Sequence, residues 1–116
     1  MKRTDGVAEE IRMALEKIPG IRYAFVYNSF ASNRKDPEGE VDITVLGGPD
    51  LVEMDQVISE AEERLARPFS INSYTVREFQ ERVKAKDEAV LRVLQGPKIM
   101  LLGSEEEMKT TLGAEA

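Results

Sequence analysis

The sequence predicts an α/β (α+β) domain in which one mixed sheet of about four strands is flanked by helices. Three observations lead there. Short apolar runs rich in β-formers recur at Ile21–Tyr27, Glu40–Leu46, Phe69–Tyr74 and Lys98–Leu102. Between them, apolar residues return every three or four positions, the spacing of a helix with one buried face. Gly-Pro punctuation and capping residues separate the two kinds of segment. The order αβ-βα-βα-αβ-α implies a mixed sheet with helices packed on it, in one layer or two. At 116 residues the chain fits a single domain over 1–116, and residues 104–116 read as a C-terminal helix with a frayed tail.

Taken in order, Val7, Ile11, Leu15 and Ile18 make the apolar stripe of a helix over 6–18, with Thr4 or Asp5 placed to cap it and Pro19-Gly20 to stop it. Ile21–Tyr27 is a buried strand ending in the small-residue turn Asn28-Ser29-Phe30-Ala31, and 33–39 is a polar loop. Glu40–Leu46 is the second strand, closed by Gly47-Gly48-Pro49. Asp50 and Glu53 have capping-box spacing ahead of Leu51, Met54, Ile58, Ala61 and Leu65. Phe69–Tyr74 is the third strand, and Thr75 with Glu78 opens a helix carrying Val76, Phe79 and Val83. Ala89, Val90, Val93 and Leu94 make one more short helix, ended by Gly96-Pro97. Lys98–Leu102 is the fourth strand, and Ser104 with Glu107 caps the last helix. The runs Ala24-Phe25-Val26 and Ile99-Met100-Leu101 are continuous enough to expect burial on both faces. Met13, Met54 and Leu65 are expected in the core.

Composition removes whole classes of chemistry. With no cysteine and no histidine there are no disulfides, no thiolate nucleophile, no Cys/His zinc site and no histidine base. Any metal is held by oxygen, which selects hard ions such as Mg²⁺. The net charge of -6 disfavours direct nucleic-acid binding, because phosphate neutralisation supplies most of that affinity. No apolar run approaches the roughly 20 residues that span a bilayer. The opening MKRTDGVAEE lacks the apolar core of a signal peptide, so the expectation is a cytoplasmic protein without a membrane partner.

Glu40 and Asp42 carry the functional question. Residues two apart on a strand share a face, so two carboxylates stand side by side where they repel each other and resist burial. A cation offsets that repulsion, and two such oxygens could hold Mg²⁺ with substrate phosphates completing its shell. The amides of the Asn28-Ser29 turn and the Ser29 hydroxyl could hold those phosphates, and Arg34 lies in the loop between turn and acids, within reach of a triphosphate. The alternative for the acids is a solvated strand end, and for Arg34 a solvated loop beside Asp36 and Glu38.

Strand, Asn28-Ser29-Phe30-Ala31, polar loop and Glu40-x-Asp42 on the next strand, with a helix before them, resemble the minimal nucleotidyltransferases of the DNA polymerase beta superfamily, whose pattern is strand, Gly-Ser, helical turn, Asp-x-Asp. INSYTVREFQERV and EAVLRVLQGPKIMLLG are similar to the C-terminal half of a subgroup often associated with winged-helix regulators. The resemblance implies catalytic positions at Glu40, Asp42 and Asn72, Mg²⁺ ligands at Glu40 and Asp42, and nucleotide contacts at Asn28 and Ser29, to which the loop position of Arg34 adds a candidate basic contact. It implies transfer of a nucleoside monophosphate from a Mg²⁺-bound nucleoside triphosphate to some acceptor. The departures suggest an alternative. Asn28 replaces glycine, Glu40 replaces the first aspartate, and FSINSYT carries no third carboxylate, since Asn72 cannot take a proton as a base. That alternative is a catalytically degenerate module for nucleotide sensing or for interaction with a partner protein or a second copy.

Three further features have structural and functional readings. Tyr23, Tyr27 and Tyr74 are either base-stacking platforms or cross-strand core residues. Arg77, Arg82, Lys84 and Lys86 make a basic but acid-interleaved, solvated helix surface. Glu78 is a capping acid rather than a substitute third carboxylate.

Overall fold

The computed structural model describes residues 3–27 and 41–113, with side chains from residue 7 onward. Its elements are α1 (Arg3–Glu16), β1 (Ile21–Tyr27), β2 (Val41–Gly47), α2 (Leu51–Leu65), β3 (Phe69–Tyr74), α3 (Val76–Lys84), α4 (Glu88–Gln95), β4 (Lys98–Leu102) and α5 (Glu105–Leu112). The three short helices α3, α4 and α5 and all four strands stand where the apolar periodicity puts them, with β2 described from Val41. The first helix begins earlier than expected, so Thr4 and Asp5 lie inside α1 rather than capping it.

The sheet has the order β3-β2-β1-β4. β1 runs antiparallel to β2 and β4, while β2 and β3 are parallel and joined through α2. Helices cover both faces. Ala8, Ile11, Leu15, Met54, Ile58 and Ala61 of α1 and α2 pack on Ala24, Val26, Val41, Ile43 and Val45. On the opposite face Phe79, Val90, Leu94, Met108 and Leu112 of α3, α4 and α5 pack on Tyr23, Phe25 and Leu46. Alternation along the strands thus sorts one apolar sequence into two cores, since neighbouring side chains point to opposite faces.

Local chemistry sets the helix starts. The Asp50 carboxylate accepts from the Val52 and Glu53 amides. Thr75 and Glu78 form a reciprocal capping box. Asp87 caps α4, a signal passed over in the sequence, and Ser104 accepts from the Glu107 amide. Gly20 and Gly47 let the outer ends of β1 and β2 close. Both have positive φ, at 97° and 147°, and a Cβ on Gly47 would sit 2.3 Å from the Gly20 carbonyl oxygen.

Two burial expectations are corrected. Ala24, Phe25 and Val26 are fully buried, but Ile99 and Met100 are only partly so, because β4 is an edge strand with one neighbour. Met13 is 50% exposed, because it stands outside the packed stripe of α1. Met54 is buried and Leu65 packs on the same core, as expected.

Candidate functional site

Strand register decides what surrounds Asp42. Tyr27 on β1 lies opposite Asp42, Ser70 on β3 lies opposite it on the other side, and Lys98 on β4 lies opposite Tyr27. Residues paired in register share a face, so Lys98, Tyr27, Asp42 and Ser70 form one transverse row across all four strands. The row one step along, Ile99, Val26, Ile43 and Ile71, faces α1 and α2 and is wholly apolar. The next row on the Asp42 face is Met100, Phe25, Thr44 and Asn72.

The polar row lies at one end of the face that α3, α4 and α5 cover. Asp42, Ser70 and Tyr27 are half-buried, Asn72 is exposed, and Thr44 is buried. Asn72 therefore shares the face of Asp42, but Ser70 is the β3 residue directly beside it. Glu40, Asn28, Ser29 and Arg34 lie outside the described residues, so the phosphate-holding role expected of the Asn28-Ser29 turn does too.

The donor set on this row is chemically suited to a hard cation: a carboxylate, a hydroxyl on the adjacent strand and an amide oxygen one step along, with no soft ligand. Among the described residues no three acidic side chains cluster as a metal cage would require.

No family model and no curated protein matches the chain. Solved structures do. A double Asp-to-Glu mutant of an MntA toxin–antitoxin complex superposes with a TM-score of 0.65 at 12% identity, over 91% of this chain and 81% of the matched one. A toxin–antitoxin with AMP-PNP gives 0.61 at 13% identity, over 91% and 81%. A Shewanella oneidensis tri-AMPylated HEPN toxin in complex with MNT antitoxin gives 0.57 at 13% identity, over 94% and 80%. The chain shares the fold of these structures, a nucleotidyltransferase-like mixed sheet flanked by helices.

In this nucleotidyltransferase fold the tyrosines divide by position. Tyr23 is buried and its hydroxyl shares a 3.0 Å hydrogen bond with Thr111. Tyr74 packs on Phe79 with centroids 5.1 Å apart, and the Arg82 guanidinium lies 5.4 Å from the Tyr74 ring centre. Tyr27 alone of the three stands in the polar row. The sequence reading missed Lys98, whose side chain is 1% exposed. Its Nζ donates to the carbonyls of Leu94 (2.7 Å) and Gly96 (2.9 Å) and to Glu105 Oε2 (2.9 Å). That bond is the main reason the Glu105 carboxyl titrates below the ordinary glutamate range. A lone lysine opening an apolar strand gives little signal, and only its register with Tyr27 shows its place. Glu78 is confirmed as a capping acid. Arg77, Lys84 and Lys86 border an open groove between α3 and α5, away from this row. No described helix is long and apolar enough to cross a membrane.

Proposed function

We propose that this chain is a regulatory module with a nucleotidyltransferase fold: one domain over 1–116, working in the cytoplasm. It binds a magnesium–nucleoside triphosphate weakly at the Asp42 end of the sheet and docks to a partner protein, with little or no nucleotidyl transfer of its own. The observation that carries this reading is β3. It offers Ser70 and Asn72 beside the acid strand and no carboxylate along Phe69–Tyr74. Glu40 and Asp42 would hold one Mg²⁺, which supplies charge neutralisation for bound phosphates. Removing the acceptor's proton requires a base, and neither a serine hydroxyl nor an asparagine amide serves as one at neutral pH.

A second reading, transfer of AMP to a partner protein, is favoured by the matched structure whose HEPN toxin is tri-AMPylated beside its antitoxin. Calorimetric titration with Mg²⁺ and each nucleoside triphosphate separates these readings from a pure interaction domain. The expected result is weak, Mg²⁺-dependent binding that Asp42→Ala removes. Labelled-nucleotide transfer by the unmodified protein, lost in Asp42→Ala, would establish the second reading. Ser70→Asp is expected to raise metal affinity more than Asn72→Asp, because position 70 lies directly opposite Asp42. The reverse order would show that the ion sits further along the strands.

A further inference from the structure

Lys98 is the least expected residue on the site face. A buried ammonium is unfavourable unless its protons are bonded, and here all three are. Two acceptors are carbonyls at the C-terminal end of α4, where the helix dipole favours a cation, and the third is the first residue of α5. An apolar side chain of similar length would fill this space without the desolvation penalty. The ammonium therefore matters for what it ties down, which is the Gly96-Pro97 turn between α4 and β4. That turn is the seat of Tyr27. A Cβ on Gly96 would lie 2.9 Å from Tyr27 Cε1 and 3.2 Å from its hydroxyl, so the ring end rests on bare backbone. Tyr27 is in turn the cross-strand neighbour of Asp42.

We infer that Lys98 and Gly96 are positioning residues for the nucleotide site. The ammonium locks the turn, the turn seats the ring, and the ring forms the wall beside Asp42 against which the nucleoside of a bound nucleotide packs. Through Glu105 the same contacts tie α5 to the site. This rests on the nucleotide-binding reading above, and it makes Tyr27, rather than Tyr23 or Tyr74, the tyrosine that a ligand meets.

The test labels the protein with 3-fluorotyrosine and follows the three ¹⁹F signals, with Tyr27 assigned by Tyr27→Phe. Gly96→Ala and Lys98→Met should each move the Tyr27 signal and leave those of Tyr23 and Tyr74 in place. Gly96 has φ -82°, which alanine adopts freely, so that variant decides the matter even if Lys98→Met fails to fold. A Tyr27 signal unmoved in Gly96→Ala overturns the inference. With Mg²⁺–ATP as probe, either variant should weaken binding about tenfold, with no further loss when Tyr27→Leu is added, as expected for residues acting through one ring. Fully additive losses would overturn the inference as well. If the unmodified protein binds no nucleotide, the site reading falls, and the ¹⁹F signals still decide whether Lys98 and Gly96 position the ring.

Discussion

The two faces of the sheet use the same strands for different ends. Toward α1 and α2 the row of Ile99, Val26, Ile43 and Ile71 is apolar and runs unbroken across four strands into a core of alanine, leucine, isoleucine and methionine. Toward α3, α4 and α5 the face begins as core, with Tyr23, Phe25 and Leu46, and ends as the polar row of Lys98, Tyr27, Asp42 and Ser70. A continuous apolar face contributes stability through burial and has no group that recognises anything. A face that turns polar at one end gives up some of that burial and gains hydrogen-bonding and charged groups held on rigid strands. The comparison predicts that stability responds mainly to the first face and ligand binding mainly to the second.

The largest expected effect is on the apolar face. Ile43 is fully buried between β1 and β3, so Ile43→Ala should lower unfolding stability by about 2–5 kcal/mol, read by denaturant titration. A loss below about 1 kcal/mol would mean that this face is loosely packed and that the contrast between faces is wrong.

A pH titration probes the polar row at intermediate scale. The Lys98 bond holds the Glu105 carboxyl below its ordinary range, so its folded pKa lies under its unfolded one. The stability it contributes is present above the unfolded value, roughly pH 4.3, and is lost as pH falls through the depressed folded value. Glu105→Gln should flatten that acid limb and leave the neutral-to-alkaline limb unchanged. An unchanged acid limb would remove Glu105 from the account of how α5 is fastened.

Smallest is Ser70→Val. Ser70 is half-buried on an edge strand, where a β-branched side chain fits well, so stability should change by no more than about 0.5 kcal/mol. Metal–nucleotide affinity should fall, because a hydroxyl beside Asp42 is lost. A large stability change with unaltered binding would move Ser70 from the site to the scaffold.

The sequence by itself determined the elements. Helix periodicity, the Asp50, Thr75 and Ser104 caps and the Gly-Pro stops are local chemistry, legible within a few residues. It also placed Ser70, Asn72 and Tyr74 on one strand face, because alternation is a property of any extended chain. Only the tertiary structure decided which strands are neighbours, and the site depends on that. The order β3-β2-β1-β4 leaves Ile99 and Met100 on an edge, where continuous hydrophobicity alone had suggested a fully buried strand. It sets Ser70 rather than Asn72 opposite Asp42, and brings Lys98, 56 positions from Asp42 in the chain, into the same row. Register is a contact between segments distant in sequence, fixed by how two cores pack on one sheet, and no local pattern carries that information.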